Sequence, residues 1–207
     1  MTESIWSTIH AERRSLAEDV ADLDTTAWQT RSLCADWTVH DVLAHLLSLA
    51  KMTPPRFAVR MAQARFRFNT FTANQVELER VGGPAGTLTA FREATPRTNA
   101  PPGPKETWLG EAFVHGEDIR RPLGIAHDYP LPMVARTIAF YAGSNAIIGG
   151  RDRVADLTLQ ATDTDCTVGT GPLVQGPAMS LLLAASGRPC TLDDLNGPGV
   201  DMLRARF

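Results

Sequence analysis

Apolar residues recur at Ile5, Ile9, Leu16, Val20 and Leu23 with charges between them. That three-to-four spacing predicts a helix over residues 4–23 that buries one face, ended by Asp24-Thr25-Thr26. His10, among Glu12, Arg13 and Arg14, reads as a solvated helix histidine. After a polar connector over 28–36, Thr38 opens a second helix. Its hydroxyl is a cap, and Asp41 at the third helical position completes a capping box. Val42, Leu46 and Leu49 form its apolar stripe, widened by Val39, Leu43, Leu47 and Ala50. His45 falls inside this apolar run, whereas His40 lies in the first turn.

Pro54-Pro55 breaks that helix. Residues 56–67 resume a helical pattern around Phe57, Val59, Met61 and Phe66, with Arg56, Arg60, Arg65 and Arg67 on a solvated face. Residues 69–81 are polar with helical character, Gly82-Gly83-Pro84 marks a turn, and 88–95 is a short helix. The loop 99–104 is irregular. A long helix begins near Lys105, lined by Leu109, Ala112, Phe113 and Ile119, weakened by Gly116 and stopped by Pro122. Another apolar helix spans 131–148, with Val134, Ile138, Phe140, Tyr141 and Ile147. Beyond Gly149-Gly150 the period changes to two over 154–162, followed by short strands at 166–169 and 172–175 and a helix at 177–186. The pattern predicts a mainly α protein, with a helical bundle over 1–150 and a small α+β region over 151–207.

The chain has 207 residues, 43% apolar and 21% charged, with a net charge of −3. Those proportions are those of a globular protein. The charge gives no electrostatic reason for nucleic acid or an anionic membrane as partner. No apolar run approaches the roughly 20 residues that span a bilayer. The acidic N-terminus lacks the features of a signal peptide, which leads to the expectation of a cytoplasmic protein. Cys34, Cys166 and Cys190 form neither a disulfide framework nor a CxxC knuckle. Cys34 reads as an ordinary half-buried thiol rather than a nucleophile.

Glu111 and His115 stand four residues apart with no breaker between Trp108 and Gly116, which stacks both side chains on one helix face. A carboxylate and an imidazole so placed can share one divalent metal. His45, in the apolar run of another helix, is either a core imidazole satisfied by hydrogen bonds or the third ligand, and the Glu111-His115 pair favours the ligand. Two imidazoles and one carboxylate leave an open coordination position, the arrangement of a catalytic zinc site. There a water or a thiol would be held as the anion, or a carbonyl polarised. Asp118, three residues after His115, is placed to accept its other ring N–H, and Glu117 is a weaker candidate for that role. Arg120 and Arg121 are candidates for binding an anionic cofactor or substrate, although cations in a last turn also complement the helix dipole. The sequence contains no Walker or Rossmann glycine loop and no G-x-S-x-G elbow.

Two stretches carry a family resemblance. Cys34-Ala-Asp36-Trp37-Thr38-Val39-His40-Asp41-Val42-Leu43-Ala44-His45-Leu46 and Glu111-Ala-Phe-Val-His115-Gly-Glu-Asp118-Ile-Arg120 resemble the two signatures of the mycothiol-dependent maleylpyruvate isomerase family. These are actinobacterial metalloenzymes of the DinB-like four-helix-bundle superfamily. The Gly171–Pro177 and Gly187-Arg188 stretches are similar to the family's C-terminal region, although the tail is shorter than the full domain. The resemblance implies His45, Glu111 and His115 as metal ligands, with zinc as the metal and nickel as an alternative. It also implies mycothiol or a similar small thiol as cosubstrate, adding to a small electrophile in isomerase or S-transferase chemistry. Two alternatives stay open: a non-catalytic metal-stabilised binding or stress-linked protein, and a metal-dependent hydrolase.

Overall fold

The computed structural model describes residues 4–34, 36–145 and 149–207. The N-terminal tripeptide, Ala35 of the first signature and residues 146–148, including Ile147 of the expected helix, lie outside them. The chain forms two compact units, 4–127 and 128–207. The expected boundary at 150 therefore moves upstream of the helix that begins at Leu131.

In the first unit, α1 (Ile5–Asp19), α2 (Thr25–Trp28) and α3 (Val39–Lys51) are followed by α4 (Pro54–Gln63) and α5 (Phe68–Glu79). Then come α6 (Gly83–Ala94) and α7 (Lys105–Leu123). The long helices α1, α3, α6 and α7 pack in a closed cycle, α1 on α7, α7 on α3, α3 on α6 and α6 on α1. This is the expected four-helix bundle. Its core joins Leu16 of α1 and Val20, which caps that helix, to Val42, Leu43, Leu46 and Leu47 of α3, Leu88 and Phe91 of α6 and Ile119 of α7. Each helix meets the core through the stripe its sequence periodicity marks.

Local chemistry sets the helix ends. Thr38 caps α3 by accepting from Asp41 N, while Asp41 accepts from Thr38 N at 2.9 Å, so the capping box forms. Pro54 and Pro55 do more than break α3. They open α4, where a missing N–H costs nothing in the first turn, and Thr53 caps it. Pro84 likewise lies in the first turn of α6, so that helix starts at Gly83 rather than near Leu88. Asp24 caps α2, a short helix that begins on the residues expected only to end the first helix.

The end of α7 differs from expectation in a way that matters for the site. Pro122 does not stop the helix, and neither does Gly116; α7 runs on to a left-handed Gly124. Proline lacks the N–H that would pair with the carbonyl four residues back, which belongs to Asp118. Leu33 N donates to that carbonyl instead, at 3.2 Å. The connector carrying Cys34 and Trp37 is thereby tied to α7.

The second unit holds α8 (Leu131–Gly143), α9 (Gly150–Arg153), β1 (Thr158–Ala161), β2 (Thr167–Gly169) and β3 (Leu173–Gly176). After them come α10 (Ala178–Ala185), a 3-10 turn (Pro189–Asp194) and α11 (Val200–Arg204). The sheet order is β2-β1-β3, with β1 antiparallel to β2 and parallel to β3. The expected strand over 154–162 shortens to β1 because α9 ends in a turn with Asp156 at positive φ. Every residue of α10 is buried, packed between α8 and the sheet. That packing places α8 with the α+β unit.

Among the described residues, no helix is long and apolar enough to cross a membrane.

Candidate metal centre

The apolar stripe of α3 fixes that helix against α7, and His45 projects from it towards the one-turn pair Glu111 and His115. His45 Nε2 lies 3.2 Å from Glu111 Oε2, and His115 Nε2 lies 3.0 Å from the same oxygen. The two imidazoles stand nearly perpendicular, their ring centroids 4.8 Å apart. One ligand atom from each of the three residues falls within 4.8 Å of the others. Zinc-ligand bonds of about 2.0–2.1 Å in tetrahedral array place neighbouring donors about 3.3 Å apart, close to the two nitrogen-oxygen distances here. The donor set and its spacing fit a divalent first-row ion.

His115 is held from behind. Its Nδ1 is 2.8 Å from Oδ2 of Asp118, whose side chain is fully buried. This bond turns Nε2 of His115 towards Glu111, as a carboxylate-histidine pair behind a metal does. His45 lacks such support: its Nδ1 is buried with no hydrogen-bond partner among the described residues. Trp37 covers both rings, its centroid 5.1 Å from His45 and 6.4 Å from His115.

The electrostatics follow from this packing. Burial opposes ionisation of Glu111, but the two histidines outweigh it and hold its carboxyl well below the usual carboxylate range. Burial alone would lower His115. Glu111 and Asp118 on either side reverse the sign and raise it to about 9. His45 is pushed down by burial, against its hydrogen bond to Glu111. Glu111 and Asp118, flanking the ring, thus favour the protonated imidazole of His115 in the metal-free chain.

The other residues singled out from the sequence are placed elsewhere. Arg120 is fully buried, but its Nε donates to Asp19 at 2.7 Å. Its terminal nitrogens reach Ser15 at 3.4 Å and Glu12 at 3.7 Å. It ties α7 to α1, so the expectation of a cofactor-binding arginine is corrected. Its charge is balanced by the half-buried Asp19 and the buried Glu12. Arg121 pairs with Glu117 at 2.7 Å, one turn apart, which also removes Glu117 as the partner of His115. His40 is a core imidazole, bonded to Thr87 Oγ1 at 2.9 Å. His10 is only half-exposed and sits 3.1 Å from the carbonyl of Arg97.

Three residues near the centre had no place in the site expected from the sequence, Cys34 having been read as an ordinary half-buried thiol. Cys34 Sγ lies within 4.8 Å of a His115 ring nitrogen and an Asp118 oxygen. Trp37 was read only as part of the signature. Arg13, with Glu111, lines a pocket bordered by Leu46, Leu49, Trp108 and Ala112. The signal for Arg13 was present: position 13 falls on the stripe of Ile9, Leu16 and Val20, where a charge is out of place.

No curated protein matches the sequence. The chain is similar in structure to a histidine-to-alanine mutant of the mycothiol-dependent maleylpyruvate isomerase, with TM-score 0.64 and 13% identity. It is also similar to the crystal structure of the mycothiol-dependent maleylpyruvate isomerase, with TM-score 0.57 and 10% identity. Each match covers 94% of this chain and 91% of the other, so the tail departs little in extent from those proteins. At these identities the matches establish the fold. The model of the mycothiol maleylpyruvate isomerase N-terminal domain matches residues 9–120, more than half of the chain and a span containing all three candidate ligands. The chain belongs to the mycothiol maleylpyruvate isomerase N-terminal domain family.

Proposed function

We propose that the protein is a divalent-metal-dependent enzyme that uses a small thiol of the mycothiol type in isomerase or S-transferase chemistry on a small electrophile. The observation that carries this reading is the convergence of His45, Glu111 and His115 on one point inside the bundle. Family membership supports the thiol, since the relatives of the same fold are mycothiol-dependent. A divalent ion held by these three residues would supply a Lewis-acidic position with room for a thiolate.

The chain's own contributions are separable. His45 and His115 provide neutral imidazole nitrogens, and Glu111 the one negative charge. Asp118 orients His115 and strengthens it as a donor through the bond to Nδ1. Trp37 shields one side of the two rings from water, which strengthens electrostatic interactions within the site.

Metal analysis of the purified protein, loaded with zinc or nickel, is expected to give one ion per chain. Calorimetric titration should then show mycothiol binding to the loaded form. His45→Ala and Glu111→Ala should lose both metal and thiol binding while staying folded. A folded wild-type protein that cannot be loaded with either metal would refute the proposal.

A further inference from the structure

The net charge of −3 hides a segregated chain. Residues 42–76 contain no Asp or Glu, yet they hold Lys51, Arg56, Arg60, Arg65 and Arg67. Lys51 is neutralised by Glu79 at 2.7 Å. Among the described residues no carboxylate pairs with any of the four arginines, and the side chain that Arg60 meets is the neutral Gln63 at 3.3 Å. All four lie on α4 or on the turn that joins it to α5.

The same segment exposes apolar surface. No residue of α4 is buried. Phe57 and Met61 pack against Met52, Ala64 and Phe71. Pro55, Ala58, Val59 and Ala62 recur at three-to-four spacing on a side that stays exposed, Val59 by 58%. The turn adds an aromatic. Arg65 N donates to the Ala62 carbonyl and Phe66 N to that of Met61, both at 2.9 Å, the pairing that ends a helix through a left-handed residue. Such a pairing commonly folds the last apolar side chain back onto the helix. Here Phe66 is left-handed as well as Arg65, at φ of 59° and 53°, and its ring is 79% exposed. Two successive left-handed residues without a glycine are strained, and strain of this kind is kept where the side chain it presents has a use.

We propose that α4 and the turn after it form a docking surface for an anionic phospholipid bilayer, which the protein meets at its surface without crossing it. Charge complementarity and the apolar strip select this occupant together. The strip and Phe66 enter the edge of the acyl region, while the arginine stems lie along it and keep their guanidinium groups among the phosphates. A second copy meeting this face with its own would set arginine against arginine. A nucleic acid would take the arginines and leave Pro55, Val59 and Ala62 uncovered. A ten-residue helix is about 15 Å long and about 10 Å wide, far short of the roughly 800 Å² per partner of a stable protein interface. The docking does not depend on the metal centre.

Co-sedimentation of the full chain with vesicles tests this. Vesicles of phosphatidylcholine and phosphatidylglycerol in equal parts should carry the protein down. Vesicles of phosphatidylcholine alone should not, and added salt should release the protein. Each arginine replaced by glutamine should weaken binding about fivefold, and Phe66→Ser about tenfold or more. These side chains are exposed or half-exposed, so Tm and zinc stoichiometry should stay at their wild-type values. Met202→Ser, at an exposed apolar site of the second unit, should bind vesicles as wild type does. Failure to sediment with the anionic vesicles overturns the proposal, as does equal binding to both kinds. Wild-type affinity in both Arg56→Gln/Arg60→Gln and Phe66→Ser overturns it as well. Binding of polyglutamate but not of anionic vesicles assigns the arginines to an acidic protein. A dimer in sedimentation equilibrium that Phe66→Ser dissociates assigns the face to a second copy. Either result rules out the bilayer.

Discussion

Replacing Asp118 by asparagine keeps the shape of the side chain behind His115 and removes its charge. The carbonyl oxygen of Asn can still accept from His115 Nδ1 at the 2.8 Å position of Oδ2. Two effects on metal affinity then oppose each other. A neutral acceptor makes His115 a poorer donor to the ion, a loss of about 10- to 100-fold in affinity for changes of this kind. Proton competition acts in the other direction. With its pKa at about 9, His115 is neutral in roughly one molecule in a hundred at pH 7, so wild-type affinity there is about a hundredfold below its limit. The Asp118 charge is among the causes of that raised pKa, so the variant faces less competition. The deficit of Asp118→Asn should therefore be small near pH 7 and widen towards the full 10- to 100-fold as pH approaches 9. Competition titration against a chromogenic zinc chelator, at half-unit pH steps, measures it. A deficit that is constant across pH, or largest at low pH, would refute the account of His115 as an imidazolium held between Glu111 and Asp118.

Arg120→Met should destabilise the protein by about 3–5 kcal/mol in urea unfolding, because it leaves Glu12 and Asp19 without their buried cation, and leave zinc affinity of the folded protein unchanged. Loss of thiol binding at unchanged stability would restore Arg120 to a ligand-binding role. The metal-free protein should lose stability as pH rises from about 6.5 through 9. The folded pKa of His115 is raised above its ordinary value, so the stabilisation is complete below that value and fades through the folded one, up to about 3 kcal/mol. Zinc should abolish that dependence, and denaturant midpoints across pH report it. Thr38→Ala removes the acceptor for Asp41 N at the start of the His45 helix and should cost about 1 kcal/mol of stability, with metal stoichiometry intact.

Much of the bundle was legible along the chain. The stripes of α1 and α3, the Thr38-Asp41 box and the four-residue step from Glu111 to His115 are local patterns, and each formed as its periodicity required. Asp118 belongs with them, since a three-residue step on one helix places it beside His115 whatever the rest of the fold does. Helix ends were less legible where a proline has two readings. Pro54, Pro84 and Pro122 sit at the start or the last turn of helices, and neighbours outside each helix decide which.

What the sequence determined by itself is which side chains face inward: helical spacing alone set Arg13, His45, Glu111, His115 and Arg120 on or beside buried stripes. What only the tertiary structure decided is their partners. Arg13 and Arg120 are both buried arginines of the bundle, yet Arg120 meets Asp19 and Glu12 while Arg13 meets a backbone carbonyl and a pocket. Periodicity fixes the direction of a side chain from its own helix. The charge it finds there belongs to another helix, and no spacing along one chain segment encodes that.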